Sequence, residues 1–289
     1  MTFVALLTKE LRLRLRRERT IWVIIIYLLV MSSLGFLYIT RTNSYNAYSL
    51  SSLGTGLYTL LAFLQLSLIL FITPAFTTTS INGEKERQTF DLLLCSRLSS
   101  FTLITGKLVA GLTNAFLLIA ASVPLFSLVF FFGGVGPDQV LNAALVFIVT
   151  AIVVGAFGLF CSTLLKRPPV STAVTYMLCV VWTLLPWVLA ALLNLNSPLT
   201  GNTQVSYLFL GNPLLALYST LDFVSGLSFN FFGHAILPWN SYLVVNLLLT
   251  LVLILASMWL VKPNPVGRMS RWMEKRPART KKVAIVDGQ

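Results

Sequence analysis

Ionisable side chains are missing from the middle of every long apolar run in this chain. The nine acids are Glu10, Glu18, Glu84, Glu86, Asp91, Asp138, Asp222, Glu274 and Asp287, and all fall in segments expected to be loops, tails or surface helices. Ion-coupled transport and intramembrane hydrolysis need buried carboxylates, histidines or arginines, so this absence argues against both. His234 is the only histidine and has no carboxylate or cysteine near it in sequence, which gives it a structural reading. Cys95, Cys161 and Cys179 are odd in number and read as packing residues; neither a disulfide framework nor a metal site is expected. A phosphate-cradling loop is absent too. Gly106-Lys107 lacks both the earlier glycine and the following Ser or Thr, so the chain is not expected to be an enzyme by itself.

What remains is apolar. The chain is 56% hydrophobic and 10% charged, with a mean hydropathy of +0.84, which places it in the polytopic membrane class. A span needs about 20 apolar residues. Six runs meet that need, at about 21–40, 56–79, 103–132, 139–165, 169–193 and 239–261. The fold expected is therefore an all-α polytopic membrane protein with six transmembrane helices. Residues 1–265 form a single transmembrane domain, and 266–289 form a basic cytoplasmic tail.

Lys and Arg set the orientation, because loops on the cytoplasmic side hold an excess of them. Twenty of the 21 lie before the first run, between the second and third, between the fourth and fifth, or in the tail; Arg41 is the exception. Both termini are predicted cytoplasmic, in a multi-pass protein of the plasma (inner) membrane. The net charge of +12 then reflects orientation and contact with anionic membrane lipids, and no nucleic acid partner is expected. A cleavable leader is not expected, because the first apolar run is too long for one and no small-residue cleavage site follows it.

Residues 2–19 carry Lys9, Arg12, Arg16 and Arg19 on one helical face and Phe3, Leu7, Leu11 and Leu15 on another, the pattern of an amphipathic interfacial helix. Thr42 to Ser52 reads as a polar loop. Gly133, Gly134, Gly136 and Pro137 form a turn, and Gly155 and Gly158 let a neighbouring helix approach the fourth span. Between spans five and six, Asn212 reads as an N-cap with Pro213 at the first helical position, and Leu214, Leu217, Tyr218 and Leu221 continue at helical spacing to Gly226. This predicts outer surface helices or a re-entrant hairpin. A pathway lined by Gln65, Asn114, Asn142, Thr175 or Asn246 would be apolar with sparse hydrogen-bonding groups, which suits lipid-like or hydrophobic peptide cargo better than ions.

Ser80 to Lys107 separates the second and third runs and carries its own helix signal. The side-chain oxygen of Asn82 is placed to cap a helix starting near Gly83, with Glu84 and Glu86 in the first turn where they complement the dipole. Phe90, Leu93, Leu94 and Leu98 recur on one side, with Lys85, Gln88 and Ser96 away from them. An amphipathic cytosolic helix in a membrane protein without its own engine points to a soluble partner that supplies work. Glu86 is the stronger candidate contact, because Glu84 is close enough to the cap to serve the helix itself.

The run Asn82-Gly-Glu84-Lys-Glu86-Arg87-Gln-Thr89-Phe-Asp91-Leu-Leu-Leu, followed by Arg97-Leu98-Ser99 and Gly106-Lys107, resembles the acid-rich coupling segment of type-2 ABC exporter permeases. Phe90-Asp91 stands where that family tends toward leucine and glutamate. The resemblance implies an amphipathic N-terminal helix, six spans with both ends inside, and outer helices between the last two. It implies a permease subunit forming the translocation pathway of an ATP-driven exporter, paired with a second identical or similar half. Separate ABC ATPase subunits would dock at about 82–98, where Glu84, Glu86, Arg87, Thr89, Phe90, Asp91 and Leu94 are the coupling candidates. ATP and Mg would bind the ATPase, with no cofactor on this chain. A membrane sensor or scaffold that binds an ATPase without moving a solute is the alternative.

Overall fold

Each apolar run becomes a helix. The computed structural model describes residues 18–43, 50–86, 100–165, 167–193, 207–221, 229–231 and 234–261. Its helices are α1 (Glu18–Asn43), α2 (Leu50–Thr77), α3 (Asn82–Glu86), α4 (Ser100–Phe132), α5 (Pro137–Leu164), α6 (Pro168–Leu192), α7 (Pro213–Ser219) and α8 (Pro238–Val261). A single 3-10 turn spans Tyr207–Phe209, and two short strands, β1 (Phe229–Phe231) and β2 (His234–Ile236), pair antiparallel. Six helices, α1, α2, α4, α5, α6 and α8, are long and apolar enough to cross a membrane. The chain is an all-α polytopic membrane protein with one small β-hairpin among its described residues. The interfacial helix expected at 2–19 lies outside the described residues except for its last two positions, which begin α1; the basic tail lies outside them altogether.

The second span starts at Leu50, several residues before the expected 56. Its first turns are rich in hydroxyls and glycine and read as a loop. The helix continues through them because it satisfies its own polar groups: Thr55 Oγ1 donates to the carbonyls of Ser51 and Ser52 at 3.2 and 3.0 Å. Pro74 lies inside α2 without ending it, and the chain leaves the helix only after Thr77.

Helices in lipid gain little from burying apolar surface against one another, so close packing and internal hydrogen bonds hold the bundle. α5 is its axis. Two thirds of its most apolar stretch is buried (67%), against 17 to 39% for the other five spans. It contacts α2, α4, α6 and α8. As expected, Gly155 and Gly158 carry the close approaches: a Cβ on Gly155 would press on Leu112 of α4, and one on Gly158 would run into the Thr77 side chain of α2. Tyr58, Phe126 and Phe147 interlock α2, α4 and α5, with ring centroids 5.9 and 6.2 Å apart. Thr150 of α5 and Tyr242 of α8 share a buried hydroxyl contact of 2.7 Å.

The expected turn between α4 and α5 is present. Gly133 and Gly134 adopt φ of +78° and +84°, which side-chain-bearing residues rarely take, and Pro137 opens α5. The expected cap at Asn212 forms as well. Its Oδ1 accepts from the N–H groups of Leu214 and Leu215 at 2.9 and 3.3 Å, and its Nδ2 donates to the Thr183 carbonyl of α6 at 2.7 Å. The helix it opens closes at Ser219 instead of continuing toward Gly226, because the Thr220 N–H turns back to Leu217 and its hydroxyl takes the same carbonyl. The β-hairpin, which pairs Phe229 with Ile236 and Phe231 with His234, was not expected in this segment.

Candidate functional site

Polar groups that the sequence scatters over more than ninety positions meet where α2 gives way to α3. The chain leaves α2 through Thr78, Thr79, Ser80 and Ile81, and α3 begins on carbonyls of this turn: Gly83 N–H donates to Thr79, and Glu84 and Lys85 N–H donate to Ile81, all at 3.0 to 3.1 Å. Asn82 is the first helical residue, not the cap. Its carboxamide is fully buried and neither of its polar atoms has a partner, so the expected side-chain cap is not made. Backbone carbonyls of the preceding turn take over the role that its Oδ1 was expected to fill.

Two neighbours hold α3 in place. Near the end of α5, the Ser162 hydroxyl accepts from the N–H groups of both Ile81 and Asn82 at 3.0 Å. Lys85 extends its ammonium to the carbonyl of Thr163 at 2.7 Å, satisfying one of the last carbonyls of α5 and placing a positive charge at the negative end of its dipole. On the other side stands Lys107, about two turns into α4 and 3% exposed, bonded to Glu84 Oε1 at 2.6 Å and to the Ser80 carbonyl at 3.0 Å. The start of α6 closes the group: Thr172 and Thr78 share a hydroxyl contact of 3.1 Å, and Ser171 donates to the Thr78 carbonyl at 3.4 Å.

The two acids expected to act together thus have different surroundings. Glu84 faces α4 and is held by Lys107, whereas Glu86 is exposed. Arg87, Thr89, Phe90, Asp91 and Leu94 lie outside the described residues. Sequence reading placed Lys107 in the resembling segment and counted it as one more base beside a span, but missed its pairing with Glu84. The available signal was its place inside the helical run that continues into the third span, with Glu84 as an acid just after the second.

Of the polar residues within the spans, Gln65, Asn114, Thr175 and Asn246 are buried and Asn142 is half-buried. Gln65 accepts from the hydroxyl of Tyr27, Thr175 donates to Ser171 in its own helix, and Asn246 donates to the carbonyls of Tyr242 and Gly211 at 3.0 and 3.3 Å. Three of the four therefore bond within the bundle. Cys161 and Cys179 are buried free thiols, in keeping with packing roles, and Cys95 lies outside the described residues. No cluster of metal-ligating side chains occurs among the described residues.

Five apolar helices around a central sixth, with a polar junction fastened between the second and third spans, define the class: a helical multi-pass membrane protein. Its sequence from 4 to 262 matches the family described as ABC-2 family transporter protein, and the chain belongs to that family of membrane transport components. No curated protein matches it.

Proposed function

We propose that the chain is the permease subunit of an ATP-driven exporter, coupled to a separate ABC ATPase through the segment at about 82–98. The carrying observation is the division of labour in α3. Its first turn is fastened to α4 and α5, while Glu86, the last residue described, is exposed beside the stretch that carries Arg87, Thr89, Phe90, Asp91 and Leu94. An exposed acid on an anchored mount suits a docking contact, because charges at an interface set register and partner choice. Membership of the family supports transport, and the lack of a phosphate-cradling loop supports the reading in which ATP and Mg bind the partner. In this reading a second identical or similar half completes the pathway. Both termini are cytoplasmic, the membrane is the plasma (inner) membrane, and α7 with the hairpin lies on the outer side.

The test is purification from native membranes in mild detergent, followed by reconstitution into liposomes. An ATPase should copurify, and solute should move only when Mg-ATP is present. Glu86→Lys should leave the chain inserted but release the ATPase or abolish movement. ATPase binding without movement of any copurifying solute would replace the exporter by a scaffold.

A further inference from the structure

We propose that Glu84 and Lys107 act as a positioning pair, fixing the first turn of the 82–98 segment to α4 so that displacement of the segment carries α4 and the end of α5 with it. The consequence for transport rests on the docking reading above, whereas the mechanical claim stands on geometry alone. The first turn of a helix has too few internal hydrogen bonds to hold its own direction. α3 is held from outside instead, by the Lys107 ammonium on one flank, at 2.6 Å from Glu84 and 3.0 Å from the Ser80 carbonyl, and by the Ser162 hydroxyl on the other. Lys107 is almost fully buried, so its charge needs both oxygens, and that need ties the segment to α4. The unpartnered carboxamide of Asn82 points the same way: the first residue of α3 is placed by its neighbours and not by its own cap.

The experiment separates positioning from mere compensation of a buried charge. Spin labels at Glu86→Cys and Val109→Cys, both exposed positions, are placed in a chain whose three native cysteines are alanine, and their distance is measured in lipid nanodiscs. A second pair at Leu50→Cys and Phe131→Cys reports the opposite end of the bundle. The parent chain should give one narrow distance for each pair. The neutral double variant Glu84→Gln with Lys107→Met leaves no charge unpaired, so the Leu50/Phe131 distance should stay narrow while the Glu86/Val109 distance loses its single value. Lys107→Arg, which keeps the charge, should retain it. A single narrow Glu86/Val109 distance in the double variant overturns the proposal.

With the copurifying ATPase reconstituted, the double variant should still bind it but move less solute per ATP hydrolysed. A broad distance with an unchanged ratio overturns the positioning role and leaves docking intact. Undiminished ATPase binding and solute movement in Glu86→Lys would instead defeat the docking reading, whatever the pair does.

Discussion

The two ends of the bundle are closed by different chemistry. At the α3 end, an ion pair and a set of hydroxyl and carbonyl contacts draw together residues 78, 84, 107, 162 and 171 from five helices or their connections. At the opposite end, closure comes from shape, with no ion pair between described residues. Two glycines with positive φ turn α4 into α5, Tyr58 donates to the Gln139 carbonyl at 3.1 Å, and Trp187 meets Phe209 edge-on at 5.0 Å. A closure made of charge and directed hydrogen bonds depends on partners far apart in sequence, and losing one leaves another stranded. The glycine turn, by contrast, is local and its failures stay local, while Tyr58 and Gln139 add one contact across 81 residues.

That contrast can be broken most sharply at Lys107. Lys107→Met removes the ion-pair partner of Glu84 and should cost about 3 kcal/mol, the lower end of the range for breaking a buried pair, because Glu84 keeps some exposure to water. The check is the thermal midpoint in detergent, which should fall and should recover in part when Glu84→Gln is added. At the far end, Gly134→Ala should cost about 2 kcal/mol, since it combines positive-φ strain with a Cβ only 2.5 Å from the Ser51 carbonyl oxygen. Gly133→Ala meets open space and should cost only about 1 kcal/mol of strain. Equal losses at the two glycines would show that packing against Ser51 contributes nothing. Asn212→Ala should cost about 1 kcal/mol for the lost cap, visible as faster amide exchange at Leu214 and Leu215. Smallest of all, Glu86→Lys should change stability by less than about 0.5 kcal/mol, as befits an exposed surface position. A large loss of stability there would mean that Glu86 belongs to the junction like Glu84.

The features legible in sequence are those with a local physical signature. Six apolar runs announce six helices; Asn212-Pro213 announces a cap because both the side-chain acceptor and the fixed φ of proline act within three residues. Gly133-Gly134 announces a turn for the same reason. The junction is different in kind. Glu84 and Lys107 are 23 residues apart, and Ser162 reaches Asn82 across 80, so nothing in local spacing marks them as partners. Asn82 shows the opposite error. Its residue type favours capping, but tertiary contacts draw it into the helix, and backbone carbonyls do the capping instead. The hairpin pairing Phe229–Phe231 with His234–Ile236 has no such local sign, because its strands are only three residues each and sit in an apolar stretch without alternation.

The contact between Thr150 and Tyr242 bears on how the protein is made. Spans enter the membrane in chain order, so α5 settles against α2 and α4 before α8 has been synthesised. Thr150 can wait safely, because its hydroxyl already donates to Val146 in its own helix at 2.7 Å. The Tyr242 hydroxyl has no such partner in α8 and meets its acceptor only on reaching Thr150. The last span therefore arrives with at least two polar side chains to satisfy outside itself, the Tyr242 hydroxyl at Thr150 and the Asn246 carboxamide at the Gly211 carbonyl, and the pair of them fixes its register against the bundle.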